Sequence, residues 1–302
     1  METNKDQAYY LRRMSGSGKS GVQVPRTLRC ISIGSGKGGV GKTMVTVGLA
    51  YCLSNMSYRV LVLDADTGLA NVDLQMGVNP EFTIQDVIFG NCSLENAVIP
   101  VKNGLDLLAS SSGTPEMVDM GDARRQMFVD NLIKFAENYD FLIIDVSAGI
   151  GKSTTTFLVS SPEVLVVVTN EPTSIMDAYA LIKVLSQNND PPSMMLVPNM
   201  VKTPDEGERL AGRLNEITKK FLNLRLPVAG VIPYHECVGD AIRARRPLLA
   251  HAEKSAPARG LAELAAFMAS GRSSGMSGRK LKNDFFNNLT EIGVKAARET
   301  SK

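Results

Sequence analysis

Residues 36–43 read Gly-Lys-Gly-Gly-Val-Gly-Lys-Thr, and this stretch lies between a short apolar run, Cys30–Ile33, and a helix-like run, Met44–Leu53. A strand, a glycine-rich loop and a helix in this order are typical of a phosphate-binding loop, or P-loop. The glycines allow backbone N–H groups to turn toward phosphate oxygens, and the positive N-terminal end of the next helix adds to the same site. Because spacing, strand and helix all agree, we prefer this interpretation to an ordinary glycine-rich turn.

The side chains of the loop predict how it would hold a nucleotide. We expect Lys42 to reach the β- and γ-phosphates and the Thr43 hydroxyl to bind Mg²⁺. The loop residues predicted to contact the nucleotide are Gly36, Lys37, Gly38, Gly39, Val40, Gly41, Lys42, Thr43 and Met44. Two other stretches, 16–20 and 149–153, end like a P-loop, but neither has a glycine at the first position, so no second site is predicted.

Seven apolar runs are predicted to form strands, at residues 29–33, 60–64, 105–109, 141–145, 164–169, 194–197 and 228–232. Helix-like stretches at residues 42–55, 122–138, 173–187 and 204–221 lie between most of them. Continuous apolar strands are typical of a parallel sheet that is covered on both faces. The sequence therefore predicts an α/β fold, a doubly wound and mostly parallel sheet flanked by helices, with ligands at the carboxyl ends of the strands.

The length and composition fit one large domain with two short flanking segments. The chain has 302 residues, 44% of them hydrophobic, which is enough to bury a large core that we assign to residues 28–270. Residues 1–27 are predicted to be an N-terminal motif with a flexible linker, and residues 271–302 a second linker followed by a helix. The formal net charge of +2 gives no general attraction to nucleic acids or membranes.

Cysteine usage and hydropathy indicate the compartment. The four cysteines are scattered, with no Cys-x-x-Cys pair, so we expect reduced thiols and no zinc site. The sequence shows no secretory signal and no long apolar span, so we expect a cytoplasmic protein that does not cross a membrane. His235 and His251 lack the spacing of a metal site or a catalytic triad.

Acidic residues follow two predicted strands at the edge where the P-loop lies. We expect Asp66 to orient the attacking water, because phosphoryl transfer depends on positioning more than on a strong base. Asp64 is predicted to support the Mg²⁺ shell, and Asp145, which follows the apolar run Phe141–Ile144, is predicted to hold the ion through water. The N–H of Gly149 is predicted to sense the γ-phosphate as part of a switch loop.

Two further residues at strand ends are candidates for contact with the base. The amide of Asn199, in the run Leu196–Val201, is suited to reading the edge of adenine, and Pro233 is suited to packing on the ring. By sequence alone, each is equally well explained as an ordinary turn residue.

Three motifs together resemble the MinD/ParA group of ATPases. They are the P-loop with its early lysine, Lys37; the segment Asp64–Asp73, which reads Asp-Ala-Asp-Thr-Gly-Leu-Ala-Asn-Val-Asp; and Asp145-x-x-Ala-Gly-Ile. Four other stretches are similar to one branch of this group, the FlhG (FleN) family. These stretches are Glu171–Lys183, Asn199-Met200, Val231–Val238 and Arg245-Arg246-Pro247.

The resemblance implies a slow, switch-like, Mg²⁺-dependent ATPase that controls the number and placement of flagella, with ATP and Mg²⁺ as cofactors. It also implies an ATP-dependent homodimer in which Lys37 crosses the interface to touch the partner's nucleotide. Lys37, Lys42 and Asp66 would then act in catalysis. A flagellar transcription activator and a basal-body protein are the two candidates for a further partner.

The N-terminal segment contains Asp6, Gln7, Ala8, Leu11 and Arg12, which resemble the activator helix through which FlhG proteins stimulate FlhF, a GTPase of the signal-recognition-particle type. We expect Leu11 to anchor this helix on its partner and Arg12 to supply a charge. A tail with no binding role is the alternative.

The C-terminal segment predicts an amphipathic helix. Leu281, Phe285, Leu289 and Ile292 recur at helical spacing, and Phe286 widens the apolar stripe. The segment also has more basic than acidic side chains, and basic amphipathic helices bind anionic lipid. We therefore expect reversible, peripheral attachment to the inner face of the cell membrane. A helix that packs permanently on the domain is the alternative.

Two other functions within the same group remain open. A DNA- or cargo-partition ATPase of the ParA type would need a basic patch, and the near-neutral charge balance makes direct binding to nucleic acid unexpected. A division-site regulator of the MinD type would share the C-terminal helix, but it gives no reason for the motif at residues 6–12.

Overall fold

The computed structural model describes residues 28–66, 71–110 and 122–271. Within these ranges eight strands form one sheet, in the order β3-β4-β2-β5-β1-β6-β7-β8. The strands are β1 (Arg29–Gly34), β2 (Val60–Ala65), β3 (Val98–Lys102), β4 (Leu105–Leu108), β5 (Phe141–Val146), β6 (Glu163–Val168), β7 (Ser193–Val201) and β8 (Ile232–Pro233). Every neighbouring pair is parallel except β3 and β4, so the predicted fold class is confirmed.

Helices cover both faces of this sheet. In the described ranges they are α1 (Lys42–Asn55), α2 (Val72–Met76), α3 (Ile84–Phe89), α4 (Leu94–Ala97), α5 (Asp122–Ala136), α6 (Lys152–Ser160), α7 (Pro172–Ser186), α8 (Pro204–Leu222), α9 (Cys237–Arg243), α10 (Leu248–His251) and α11 (Ala256–Ala269). Helices α3 to α8 pack on one face, and α1, α2 and α9 to α11 pack on the other.

Alternate residues of the central strands enter opposite cores. In β2, Leu61 and Leu63 belong to the core under α3 to α8, whereas Val60 and Val62 belong to the core under α1 and α11. All four side chains are almost completely buried. A strand that is buried on both faces needs no polar positions, which explains why these strands read as continuous apolar runs.

The two edges of the sheet differ from the sequence-based expectation. The sequence does not predict β3, because Pro100 weakens its strand pattern. This proline is tolerated because β3 is an edge strand, paired antiparallel with β4. At the other edge, the predicted strand 228–232 is reduced to Ile232–Pro233 and a single bridge between Val228 and Leu196.

The topology brings the predicted site residues to one edge. Strands β2 to β5 lie on one side of β1, and β6 to β8 lie on the other. The crevice where the strand order reverses in this way is where ligands bind in doubly wound folds. None of the helices in the described part of the chain combines the length and the apolar character needed to cross a bilayer.

Candidate nucleotide-binding site

The glycine loop joins the carboxyl end of β1 to the first turn of α1, as predicted. Gly41 precedes the helix with φ 89°, a left-handed conformation that favours glycine. Gly36 is required for a different reason, because a Cβ atom there would lie only 2.1 Å from the backbone oxygen of Asp177 in α7. The backbone beside Gly38 and Gly39 is open, because a Cβ atom at either residue would meet no other atom within 4 Å. The loop is therefore closely packed at both ends and accessible in the middle.

Helix α1 brings a lysine and two threonines to Asp145. Lys42 is the first residue of the helix and is only 8% exposed. The Thr43 hydroxyl donates to Asp145 Oδ2 at 2.7 Å, and the Thr46 hydroxyl donates to Asp145 Oδ1 at 2.9 Å. Thr43 is predicted from the sequence and Thr46 is not, although a spacing of three residues places both on one face of a helix.

Asp64 lies beside Asp145, because the two residues are direct partners in the parallel register of β2 and β5. Asp64 accepts hydrogen bonds from the backbone N–H groups of Asp66 at 3.0 Å and Val72 at 3.4 Å. Burial, reinforced by the charge of Asp145, raises the pKa of Asp64 to about 8. Burial also raises the pKa of Asp145 to about 6, although the hydrogen bonds from Thr43 and Thr46 and the charge of Lys42 lower it. Two buried carboxylates at paired positions of adjacent strands favour a bound cation.

The donors at this position fit Mg²⁺. They are oxygen atoms of one hydroxyl and two carboxylates, from Thr43, Asp64 and Asp145, which are the ligand types that hard divalent cations prefer. The described residues contain no cluster of three or more His, Cys, Asp or Glu side chains placed to hold a metal. A site with few protein ligands suits Mg²⁺, because Mg²⁺ usually takes one or two carboxylates together with phosphate oxygens and water.

Asp66 is held toward the loop that follows β5. Its Oδ1 accepts a hydrogen bond of 2.8 Å from the Ser147 hydroxyl, so the side chain is connected to the strand end that carries Asp145. The residues that follow it, 67–70, lie outside the described ranges. Ser147 is a second contact that sequence reasoning missed, since nothing in its spacing relates it to Asp66. The water-orienting role of Asp66 stays a prediction.

Gly149 lies next to the P-loop in a closed position. It has φ 99°, and its N–H donates to the backbone oxygen of Ser35 at 2.9 Å. The N–H that we expect to sense the γ-phosphate is therefore already bonded to the residue that precedes Gly36. Sensing of a phosphate would require this bond to open, and the role of Gly149 in a switch stays a prediction.

Lys37 is engaged within its own chain. Its Nζ lies 2.5 Å from Glu171 Oε2 and 3.1 Å from Thr173 Oγ1, both at the start of α7. The side chains of this ion pair are 38% and 61% exposed, so the pair is at the surface. Glu171 and Thr173 are not predicted as partners of Lys37, because they lie more than a hundred residues away along the chain.

Asn199 and Pro233 lie at adjacent strand ends near the P-loop. Asn199 is buried, and its Nδ2 donates to the backbone oxygen of Val40 at 2.7 Å, so the amide nitrogen supports the loop in this conformation. Pro233 is partly exposed and pairs with Val201 of β7. Between them, Met200 has φ 56° and is 40% exposed. Contact of Asn199 and Pro233 with a base stays a prediction.

The chain is similar to known proteins over most of its described residues. A family model described as an AAA domain matches residues 28–193. The antiactivator FleN of Pseudomonas aeruginosa is 41% identical over 219 residues, which are 72% of this chain and 78% of that protein. The flagellum site-determining protein YlxH of Helicobacter pylori is 36% identical over 220 residues, which are 72% of this chain and 74% of that protein.

The solved structures support the same fold. The septum site-determining protein MinD of Pyrococcus horikoshii, complexed with Mg-ADP, matches with a TM-score of 0.67 over 82% of this chain and 100% of that chain, at 23% identity. A structural match at 23% identity supports the fold alone. The two sequence relatives, which each cover 72% of this chain, support the family. Since the P-loop, the acidic strand ends and these relatives agree, the chain belongs to the FlhG/FleN family of MinD/ParA-type P-loop ATPases.

Proposed function

We propose that this chain is a regulatory ATPase that pairs with a second copy of itself when both hold ATP, and that separates after slow hydrolysis. The observation that carries the proposal is the arrangement of two lysines in one loop. Lys42 is buried at the start of α1, while Lys37 is at the surface and is bonded to the start of α7. One lysine is suited to its own nucleotide, and the other is suited to a nucleotide across an interface.

The residues of the site divide the chemistry between them. The loop N–H groups and Lys42 would bind the phosphates, Thr43 with Asp145 and Asp64 would hold Mg²⁺, and Asp66, supported by Ser147, would orient the attacking water. When bound, Mg²⁺ would neutralise charge on the β- and γ-phosphate oxygens. The P. horikoshii relative was solved with Mg-ADP, which supports this assignment of cofactors.

The biological role follows from the relatives. One is named an antiactivator and the other a flagellum site-determining protein, so we propose control of flagellar number and placement in the cytoplasm and at the inner face of the cell membrane. A flagellar transcription activator or a basal-body protein would receive the signal. We propose that the motif at residues 6–12 binds an FlhF-type GTPase and that the apolar stripe at residues 281–292 binds anionic membrane. Both segments lie outside the described ranges.

Light scattering with a non-hydrolysable ATP analogue tests the proposal. The unsubstituted protein, the parent, should double in mass with the analogue and Mg²⁺. The Lys37→Ala variant should bind the analogue and remain a monomer. Lys42→Gln should lose binding, because a charge-assisted bond to the phosphates is removed. Lys219→Ala, which removes an exposed lysine of α8, is the matched control and should behave like the parent. A parent that stays monomeric with the analogue bound contradicts the switch.

A division-site regulator of the MinD type is the alternative, and the N-terminal motif distinguishes it. A synthetic peptide of residues 1–14 should raise the GTP turnover of an FlhF-type GTPase, and peptides with Gln7→Ala or Leu11→Ala should stimulate less. If the parent peptide has no effect, or all three act equally, the motif is accidental and the flagellar role loses this support.

A further inference from the structure

Thr46 contacts Asp145 but has no role in the function proposed above. It lies one turn into α1 and is completely buried. Its Oγ1 lies 2.9 Å from Asp145 Oδ1 and 3.1 Å from the backbone oxygen of Lys42. A hydroxyl has a single hydrogen to donate, so these two acceptors compete for it. The carboxylate is the closer acceptor and the charged one, and therefore the stronger.

Asp145 is thereby held at both oxygens by one helix. Thr43 donates to Oδ2 and Thr46 donates to Oδ1, and the carboxylate is 1% exposed, so water has little access to it. The last torsion of an aspartate side chain is soft, and a single hydrogen bond would leave the carboxylate free to turn. Two bonds on opposite oxygens fix its plane.

We propose that Thr46 is a positioning residue, whose hydroxyl keeps Asp145 Oδ2 turned toward Thr43 and so toward the Mg²⁺ that these two residues would hold. This inference rests on the proposed Mg²⁺-dependent nucleotide binding. Thr46 itself would not touch the ion; it acts on the orientation of a ligand. Hydrogen-bond partners behind a metal ligand commonly change metal affinity by about 10–100-fold when they are removed.

A purely structural role is the competing explanation. Buried helical threonines often return their hydroxyl to the carbonyl four residues earlier, and Lys42 offers that acceptor here. In that case the loss of the hydroxyl would change stability and leave Mg²⁺ affinity as it is. The two explanations therefore differ in a binding measurement and not in a measurement of stability.

The experiment titrates MgCl₂ into the full-length protein with a fluorescent ADP analogue, after removal of metal with EDTA. Thr46→Val keeps the shape of the side chain and removes the hydroxyl. The MgCl₂ concentration at half-maximal binding of the analogue, the Mg²⁺ midpoint, should therefore rise by about 10–100-fold. Affinity for the analogue without metal should stay within about twofold of the parent. Thr46→Ser restores the hydroxyl and should return the midpoint to the parent value.

Thr218→Val is the matched control. Thr218 is also a completely buried helical threonine, and its hydroxyl bonds the backbone oxygen of Leu224 at 3.0 Å, in α8 and outside the site. It should lower the melting temperature without moving the Mg²⁺ midpoint. If Thr46→Val does not fold, Thr46→Ala removes the same hydroxyl with a residue of high helix propensity and replaces it in the titration.

Two results would overturn the inference. One is a folded Thr46→Val or Thr46→Ala protein with the parent's Mg²⁺ midpoint; the other is a Thr46→Ser protein shifted as far as the valine variant. Failure of the proposed function is separate, because it is read from the parent curve alone, as analogue binding that does not depend on Mg²⁺.

Discussion

At the scale of single residues, the site is a buried acidic pair whose charge is only partly compensated. Asp145 receives two hydroxyl hydrogen bonds, and hydrogen bonds to a charged group contribute about 1.5–3 kcal/mol each. Among the described residues, Asp64 accepts hydrogen bonds from two backbone N–H groups, and its neighbour is another carboxylate. The pair is therefore arranged to gain from a cation, and this arrangement makes the metal-free protein sensitive to pH.

The pH prediction concerns Asp64. Its pKa is raised from 3.8 in the unfolded chain to about 8 in the native state. Between about pH 4 and pH 8 the native state therefore keeps a proton that the unfolded chain has released. The stability that this proton contributes is lost as the pH rises through that range. Asp64→Asn removes this loss, so the variant should gain free energy of unfolding relative to the parent between pH 5.5 and pH 8.5, measured by urea unfolding without Mg²⁺.

Asp190→Asn, an exposed substitution, should give the same pH profile as the parent. Parallel profiles for Asp64→Asn and the parent would mean that Asp64 is already ionised in the folded, metal-free protein.

The second prediction at this scale concerns Asp66. Asp66→Ala should keep ATP binding and lower the rate of hydrolysis by about a hundredfold, because positioning of the attacking group is lost. The variant should therefore accumulate as the ATP-bound dimer. Phosphate release and light scattering measure the two effects, and Asp205→Ala, an exposed residue of α8, is the control. Hydrolysis at the parent rate would mean that Asp66 has been misassigned.

Among the elements of the fold, α7 packs against the start of the P-loop. Glu171 and Thr173 hold Lys37, and the backbone of Asp177 packs so closely on Gly36 that no side chain fits between them. The helix therefore contacts the loop at two consecutive residues. If Lys37 acts across a dimer interface, its bond to Glu171 has to break first, and the loop and the helix change together.

Glu171→Gln should therefore strengthen the ATP dimer. An exposed ion pair is worth about 0.2–1 kcal/mol, and a dimer would break two of them, so the dissociation constant should fall between about twofold and thirtyfold. Sedimentation equilibrium with the ATP analogue measures it, and the gain should shrink at high salt. Glu208→Gln, an exposed residue of α8, is the control. A weaker dimer in Glu171→Gln would mean that Glu171 contributes to the interface itself.

At the scale of the whole molecule, the two ends of the described chain meet far from the site. Arg29, the first residue of β1, donates to the backbone oxygen of Met268 near the end of α11 and forms a 2.7 Å ion pair with Glu163, the first residue of β6. Both contacts lie at the amino edge of the parallel strands, opposite the P-loop. The described chain thus begins and ends at the edge of the sheet away from the P-loop.

The prediction at this scale is ATP-dependent membrane binding. The parent with the ATP analogue should sediment with anionic vesicles, because two amphipathic helices on one dimer bind far better than one. Phe285→Glu should bind at least about tenfold more weakly, since burial of one aromatic side chain contributes about 1.5–3 kcal/mol. Asn287→Glu adds the same charge off the apolar stripe and should change binding less. A parent dimer that never sediments would leave the helix with a structural role only.

The amino-acid sequence alone predicts the features that contiguous residues encode. These are the P-loop, the bounds of α1 at Lys42–Asn55, the placement of Asp64 and Asp145 at strand ends, and the parallel sheet, and the structure agrees with each. The pairing of distant side chains comes from the folded chain: Thr46 with Asp145, Lys37 with Glu171, and Asn199 with the backbone of Val40. These contacts join residues about a hundred or more positions apart, and they depend on strand register and helix packing. The spacing of residues along a chain does not record such contacts.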